Sequence, residues 1–529
     1  MVSQPEALVI PLAEKVWSCA RRDAAWAILL TLSLTLCAPA ANGAESAASP
    51  AGSEEARELK SAGDGYVKRD ELDKAADAYI RALDRDRKAF SADERTRMAI
   101  YLSWADRLGR AEEELWAVLE SEATNSDART HLARVLSWKG DLREAIEQAD
   151  RVLKQDPDQR DALQIKADAL QWRGDLRRAI PIYRELLGKQ DSFDARLGLS
   201  QALLAAGERV GALDASRSLS PATVNQKNRF GRFRESFDAA FRPKLDVRYS
   251  YFSDSDKNRL DRYSVSPSFW LGNFHLAALL RHTEAEDDNR SKRAEEFSLK
   301  AYTNLNESFG IGGNLGITHL GRGSSSTFPT GGFRLDTSIS GGKIGASATH
   351  EVLTDSAGLI DNEIKATIAA LQWTQHLTDR FAVTGVYRYG SFSDSNHAHD
   401  AQATSQYTLW FNPKITVGHR FRYLNYQRQS GGGYFDPNDY YSNRGFVSVY
   451  AERERFYGFA DIFVGQQAFK RNGVATKDLI FGGSASLGVK PMRQLAVEFN
   501  IEGGQLASGT SAGPGYSYLI LGPRLLIRF

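Results

Sequence analysis

The sequence predicts two folds in series, an N-terminal α-solenoid of helical hairpins followed by a transmembrane antiparallel β-barrel of about 16 strands. Three observations predict it. Small and bulky residues recur every 34 positions through the first half. From about Arg242 onward apolar residues alternate at every second position. The connections between those alternating segments switch between tight turns and longer polar stretches.

Composition bounds the classes available. The chain has 529 residues with 67 Lys+Arg against 66 Asp+Glu, a net charge of +1. Phosphate recognition depends on clustered positive charge, so this balance argues against a nucleic-acid partner. A mean hydropathy of −0.41, and no second apolar run near the roughly 18 residues that a helical span needs, exclude a helical membrane bundle.

Residues 1–44 read as a secretory signal peptide: Lys15, Arg21 and Arg22 flank a short apolar core from Ala24 to Leu36, and small residues up to Ala44 offer cleavage points. The other reading is a retained anchor. Both cysteines, Cys19 and Cys37, lie in this leader, so a processed chain needs no disulfide in an oxidising compartment. Bulky Leu36 argues against lipidation of Cys37. A linker is expected over 45–55.

Over 56–220 the period is helical. Ala111, Ala145 and Ala179 are spaced by 34, and so are Trp104, Trp138 and Trp172. The copies HLARVLSWKGDLREAIEQADRVLKQDP and ALQIKADALQWRGDLRRAIPIYRELL align Gly140 with Gly174 and Leu142 with Leu176. Small residues at Ala133 and Ala167 let two helices cross closely, and the glycines end the first helix of each pair. This pattern resembles the tetratricopeptide repeat, with an earlier copy near Ala56 and a weaker one near Phe193. About four to five hairpins are expected, enough to bury a continuous core. The resemblance implies protein partners on the groove face. Two readings of Trp104, Trp138 and Trp172 stand side by side: a stacking strip for sugar rings or a peptide, or rings packed over their own turns. The basic, aromatic stretch 221–241 reads as a linker, either a short amphipathic helix or a solvated tether.

From 242 to 529 the period is two. In KLDVRYSYF, Leu245, Val247, Tyr249 and Tyr251 share one face, and Asp246, Arg248 and Ser250 the other. Tight links are expected at Gly272-Asn273, Asn306-Glu307-Ser308, Gly341-Gly342, Leu377-Thr378-Asp379, Asn412-Pro413, Arg453-Glu454-Arg455 and Pro491-Met492. Between them lie the longer stretches EAEDDNRSK, GRGSSSTFPTG, SFSDSNHAHD, QRQSGGGYFDPNDYY and ASGTSAGPG. That alternation matches a barrel with periplasmic turns and external loops. An even strand count sets the repeats and the C-terminus on the periplasmic side. The last strand places Leu519, Leu521, Leu525, Ile527 and Phe529 on one face, and the terminal aromatic is similar to the signal read by the barrel-assembly machinery. Pro523 and Arg524 depart from that signal.

With the apolar face on outer-membrane lipid, the lumen is lined by the opposite face. The expected lining is Asp246, Arg248, Arg334, Asp336 and Arg388, then Arg420, Arg422, Asp461, Glu498 and Arg524, with Glu296, Lys300, Glu502 and Arg528 on the same pattern. Mixed signs imply a hydrated path, or wall residues that pair with one another. His397, His399 and Asp400 read as an external-loop trio able to hold a metal, but no fourth ligand is evident and no cofactor is expected. No zinc-protease or phosphate-cradle motif is present, and the reading is not an enzyme.

Repeats followed by a barrel resemble the outer-membrane exporters of exopolysaccharides, as in the poly-N-acetylglucosamine and cellulose systems. The segment GGGYFDPNDYYS, Gly431 to Ser442, is similar to a segment of the cellulose exporter's barrel, with Asp436 where that segment has Ser. Tyr434, Phe435 and Pro437 match; the plain alternative is that they stiffen an external loop. The resemblance implies a channel that passes a polysaccharide while the repeats recruit periplasmic proteins. The competing expectations are a translocon for surface proteins or lipoproteins, which resembles the surface lipoprotein assembly modulators, and a structural barrel that scaffolds a periplasmic complex.

Overall fold

A computed structural model describes residues 50–321, 326–506 and 516–529. The signal peptide reading, both cysteines, part of the GRGSSSTFPTG stretch and all of the ASGTSAGPG stretch lie outside the described residues. The chain forms two compact units, divided between Ala169 and Leu170.

The helical part begins as a run of antiparallel pairs: α1 (Pro50–Lys68) with α2 (Leu72–Asp86), α3 (Ala92–Trp104) with α4 (Leu108–Ser121), and α5 (Ser126–Lys139) with α6 (Leu142–Gln155). Then come α7 (Arg160–Trp172), α8 (Leu176–Lys189) and the pair α9 (Phe193–Ala205) with α10 (Arg209–Arg217). Each odd-numbered helix of this run is ended by a residue of positive φ: Asp70, Asp106, Gly140, Gly174 and Gly207. A left-handed residue there turns the chain back and lets the final carbonyls be capped; at Gly140 the cap amide reaches Leu136 O and Ser137 O. Ala111, Ala145 and Ala179 are fully buried, as are Ala133 and Ala167, because any larger side chain there would hold the packed helices apart. Helix α1 begins at Pro50, inside the segment read as a linker. The 221–241 segment is also ordered: α11 (Val224–Phe241) opens on a Thr223/Gln226 capping box. Its Phe230, Phe233, Phe237 and Phe241 form a continuous file of ring contacts.

The second half is one closed antiparallel barrel of 16 strands in simple chain order, with the first strand paired to the last. Its strands are β1 (Lys244–Asp254), β2 (Arg259–Leu271), β3 (Phe274–Asp287), β4 (Arg290–Asn304), β5 (Phe309–Gly321), β6 (Ser326–Ile339), β7 (Gly342–Val352) and β8 (Lys365–His376). They continue as β9 (Phe381–Phe392), β10 (His397–Phe411), β11 (Lys414–Tyr426), β12 (Asn438–Arg453), β13 (Phe456–Arg471), β14 (Val474–Met492), β15 (Leu495–Gln505) and β16 (Tyr518–Arg528). A short helix, α12 (Ala357–Asp361), lies between β7 and β8. Closure pairs Leu245 with Ile527 and Arg248 with Arg524, which leaves no open edge. Leu299, Leu315, Ile462, Val464 and Leu487 stand exposed on the outer surface.

The connections correct the loop reading. EAEDDNRSK and SFSDSNHAHD are mainly strand: β3 meets β4 across Asp288-Asn289, and β9 meets β10 across residues 393–396. The ladder there carries polar side chains beyond the apolar belt, pairing Glu284 with Arg293 and Asp287 with Arg290. Polarity therefore marked extended hairpins rather than loops. The connection over 353–364, which no polar run announced, is among the longest described.

Candidate functional site in the barrel lumen

The polar face of the strands converges on the lumen. Arg420 of β11 reaches over β12 to Asp461 of β13 in a two-pronged contact at 2.8 and 2.7 Å. Such a chord runs on the face opposite Ile462 and Val464. Asp246 is gripped by Arg248 at 2.6 Å and by Arg524, from across the closing seam, at 2.7 Å. Asp400 accepts from Arg388 at 3.2 Å and from Arg422 at 3.0 Å. Asp336 takes Arg334 at 2.7 Å, with Lys343 at 3.7 Å. Glu498 accepts from Tyr457 at 3.0 Å. Planar guanidinium against carboxylate favours these two-pronged contacts and stiffens the wall.

One end of this lumen is occupied by two segments of the chain itself. The first is the β7–β8 connection. Ser356 caps α12 by accepting from Leu359 N at 3.1 Å, and Ala357 and Ile360 pack on Phe252, Leu260, Ala285, Ala294 and Leu320 of the inner wall. Arg262 of β2 holds Asp355 at 3.0 Å, and Lys292 of β4 holds Asp361 at 2.8 Å. The second is the β11–β12 connection, residues 427–437. Tyr434 and Phe435 are buried, at 3% and 2% exposure. The Tyr434 hydroxyl donates to Asp394 at 2.8 Å and accepts from Asn396 at 3.0 Å, and its ring stacks on Phe392. Phe435 sits edge-on to Tyr440 and Phe469. Asp436 accepts from Arg471 at 3.2 Å.

The two segments meet. Ser356 donates to Gly433 O at 3.2 Å and Asn362 to Gly432 O at 3.1 Å, while Leu359, Ile364 and Tyr434 form one apolar cluster. Gly433 has a φ of 95°, and a Cβ there would stand 2.9 Å from the Gly358 carbonyl carbon, so only glycine fits.

Tyr434, Phe435 and Pro437 thus belong to the β11–β12 connection, at the barrel end opposite the short turns, and that connection turns inward and is buried. The apolar rings require that burial, and Asp436 accompanies them because Arg471 neutralises it. The His397, His399 and Asp400 trio is corrected. All three lie on β10, not in a loop, and alternation sends Asp400 inward to Arg388 and Arg422 while the histidines face outward against Tyr389 and Tyr387. The α12 segment and its carboxylates were missed. The available signal was a break in alternation at Thr354-Asp355-Ser356, followed by the small pair Ala357-Gly358.

At the opposite end, the second unit's helices rest on the short turns. Arg184 pairs with Glu307 at 2.9 Å, Val210 N donates to Asn273 at 2.9 Å, and Asn304 donates to Ala206 O. Phe241 of α11 packs edge-on against Trp270 of β2 at 4.9 Å. In the first unit, Trp104 is 53% exposed and meets Tyr101 edge-on at 5.2 Å, and Trp138 is half-buried. Trp172, in the second unit, is half-buried.

A family model of the tetratricopeptide repeat matches residues 105–169. No curated protein matches the chain. Among solved structures, the chain is similar to a bacterial polysaccharide outer membrane secretin at 10% identity and a TM-score of 0.44, covering 54% of this chain and 98% of that one. It is also similar to CdiB from Acinetobacter baumannii, at 11% identity and a TM-score of 0.34, covering 54% of this chain and 60% of that one. A thermophilic tetratricopeptide-repeat protein of Thermus thermophilus aligns at 14% identity and a TM-score of 0.29, covering 34% of this chain and 98% of that one. The class is therefore a tetratricopeptide-repeat array joined to a closed 16-stranded barrel.

Proposed function

We propose that this chain is an outer-membrane export channel for a secreted polysaccharide, with the repeats on the periplasmic side recruiting proteins or guiding the polymer. The observation that carries the reading is the polar lumen of a 16-stranded barrel stoppered by two of its own segments. A barrel of that strand number has room for an aqueous passage. An exposed apolar girdle needs lipid to cover it. A stopper held by buried rings and ion pairs suits a passage that opens only for its cargo, because a permanently open one of this width would leak small solutes. A hydrated polymer matches charged walls better than an apolar substrate does. Helices α8 to α10, resting on the short turns, stand beside the entrance, and Trp104, Trp138 and Trp172 are the proposed docking positions on the repeats.

The test is deletion of the gene in its native host, scored for secreted glycan and for surface lipoproteins. Loss of glycan with lipoproteins retained supports the proposal. Loss of surface lipoproteins with glycan retained rejects it in favour of a protein translocon.

A further inference from the structure

We infer that the polymer is anionic, and that the stopper's carboxylates occupy the cationic sites the polymer takes when it passes. The inference rests on the export reading and adds the chemical class of its cargo. Along the lumen wall, cations outnumber the carboxylates they share: Asp246 serves two arginines, Asp400 serves two, and Asp336 serves Arg334 and Lys343. Each trio carries one surplus positive charge. Lys300, Arg444 and Arg528 lie on the same inward face of their strands, and among the described residues no carboxylate lies within ion-pair distance of them; Nε of Arg444 and of Arg528 is buried without an acceptor. The acidic side chains that lack a cation include Glu351, Asp478, Glu498 and Glu502, and the last two are each taken by a tyrosine hydroxyl, Tyr457 and Tyr518.

At the stoppered end, wall cations are met by carboxylates that the stopper brings. Arg262 is met by Asp355, Lys292 by Asp361 and Arg471 by Asp436. Withdrawing both segments would take these carboxylates away from Arg262, Lys292 and Arg471 and extend the positive lining along the hydrated passage. A passage lined by one sign of charge concentrates the opposite sign, so an open state favours anions. Carboxylates or phosphate esters repeating along a sugar chain supply them. A neutral polymer supplies none, and a cationic one is repelled.

The experiment is calorimetric titration of the full-length protein in neutral detergent with three probes: oligogalacturonate, cello-oligosaccharide and chitosan oligosaccharide. The expected result is oligogalacturonate binding about tenfold or more tighter than the neutral probe, because charge-assisted hydrogen bonds are stronger than neutral ones. That preference should collapse at high salt. Lys300→Gln with Arg444→Gln should weaken oligogalacturonate several-fold, whereas Asp355→Asn with Asp361→Asn should strengthen it by removing the competing carboxylates. Equal or tighter binding of the neutral or cationic probe overturns the anionic assignment and leaves the export reading standing. If none of the three binds even to the Asp355→Asn, Asp361→Asn protein, the export reading fails with it.

Discussion

The two ends of the barrel solve opposite problems. At the end bearing the short turns, hairpins close in a few residues, and helices of the same unit rest on them through single polar contacts such as Arg184 to Glu307 and Asn304 to Ala206 O. At the other end, two long connections fold into the lumen and are fixed by buried rings, ion pairs and a glycine-to-glycine approach. Contacts of the first kind, Arg184 to Glu307 and Asn304 to Ala206 O, are at most partly buried and individually weak, so that end tolerates rearrangement. Contacts of the second kind are buried and mutually dependent, so that end has a closed state to lose.

Breaking the closed end should have the largest effect. Gly433→Val forces a β-branched residue into a left-handed backbone and drives its Cβ into Gly358. These penalties together amount to about 3 kcal/mol or more against the stoppered state. Single-channel recordings in planar bilayers should show wild type mostly closed and the variant persistently conducting. An unchanged closed time would mean that the two segments do not seal the passage. Tyr434→Phe keeps the ring stack on Phe392 but removes the hydroxyl shared with Asp394 and Asn396, at about 1–2 kcal/mol. Brief, frequent openings are expected, intermediate between wild type and Gly433→Val.

The other end should respond less. Arg184→Ala with Asn304→Ala removes two docking contacts, worth about 1 kcal/mol each at most. The heat-modifiable migration characteristic of the folded barrel should be unchanged, while limited proteolysis near 217–224 should quicken. If the barrel itself unfolds, the turns depend on the helices more than these contacts indicate. The smallest effect concerns the repeats. Burial lowers the pKa of His131 below its ordinary value of 6.5, although Asp127 pulls it upward. The unfolded chain therefore binds the proton more readily, and stability present above pH 6.5 is lost as the pH falls from there towards the depressed folded value. Thermal melting of the helical signal should drop modestly between about pH 7 and pH 5. His131→Gln should flatten that slope; an equal slope in the variant would assign it to other groups.

The repeat spacing and the switch of period near Arg242 were legible because they are one-dimensional facts. A helix crossing needs a small residue at a fixed interval, and a strand half in lipid needs alternation, whatever surrounds it. Helix ends were legible for the same reason at Gly140 and Gly174. Asp70 and Asp106 adopt the same left-handed conformation without glycine's signature. The polar hairpin ends were misread as loops because composition reports solvent, and a ladder can continue in solvent.

What only the tertiary structure decided is where the two long connections go. Leu359, Ile360, Tyr434 and Phe435 are apolar enough to need cover, but nothing local says whether that cover is a neighbouring strand, lipid or the inside of the barrel. Closure of the first strand on the last creates that interior, and with it brings Arg262, Lys292 and Arg471 within reach of Asp355, Asp361 and Asp436. Those pairs join residues from about 35 to 93 positions apart in the chain, a separation that periodicity cannot bridge.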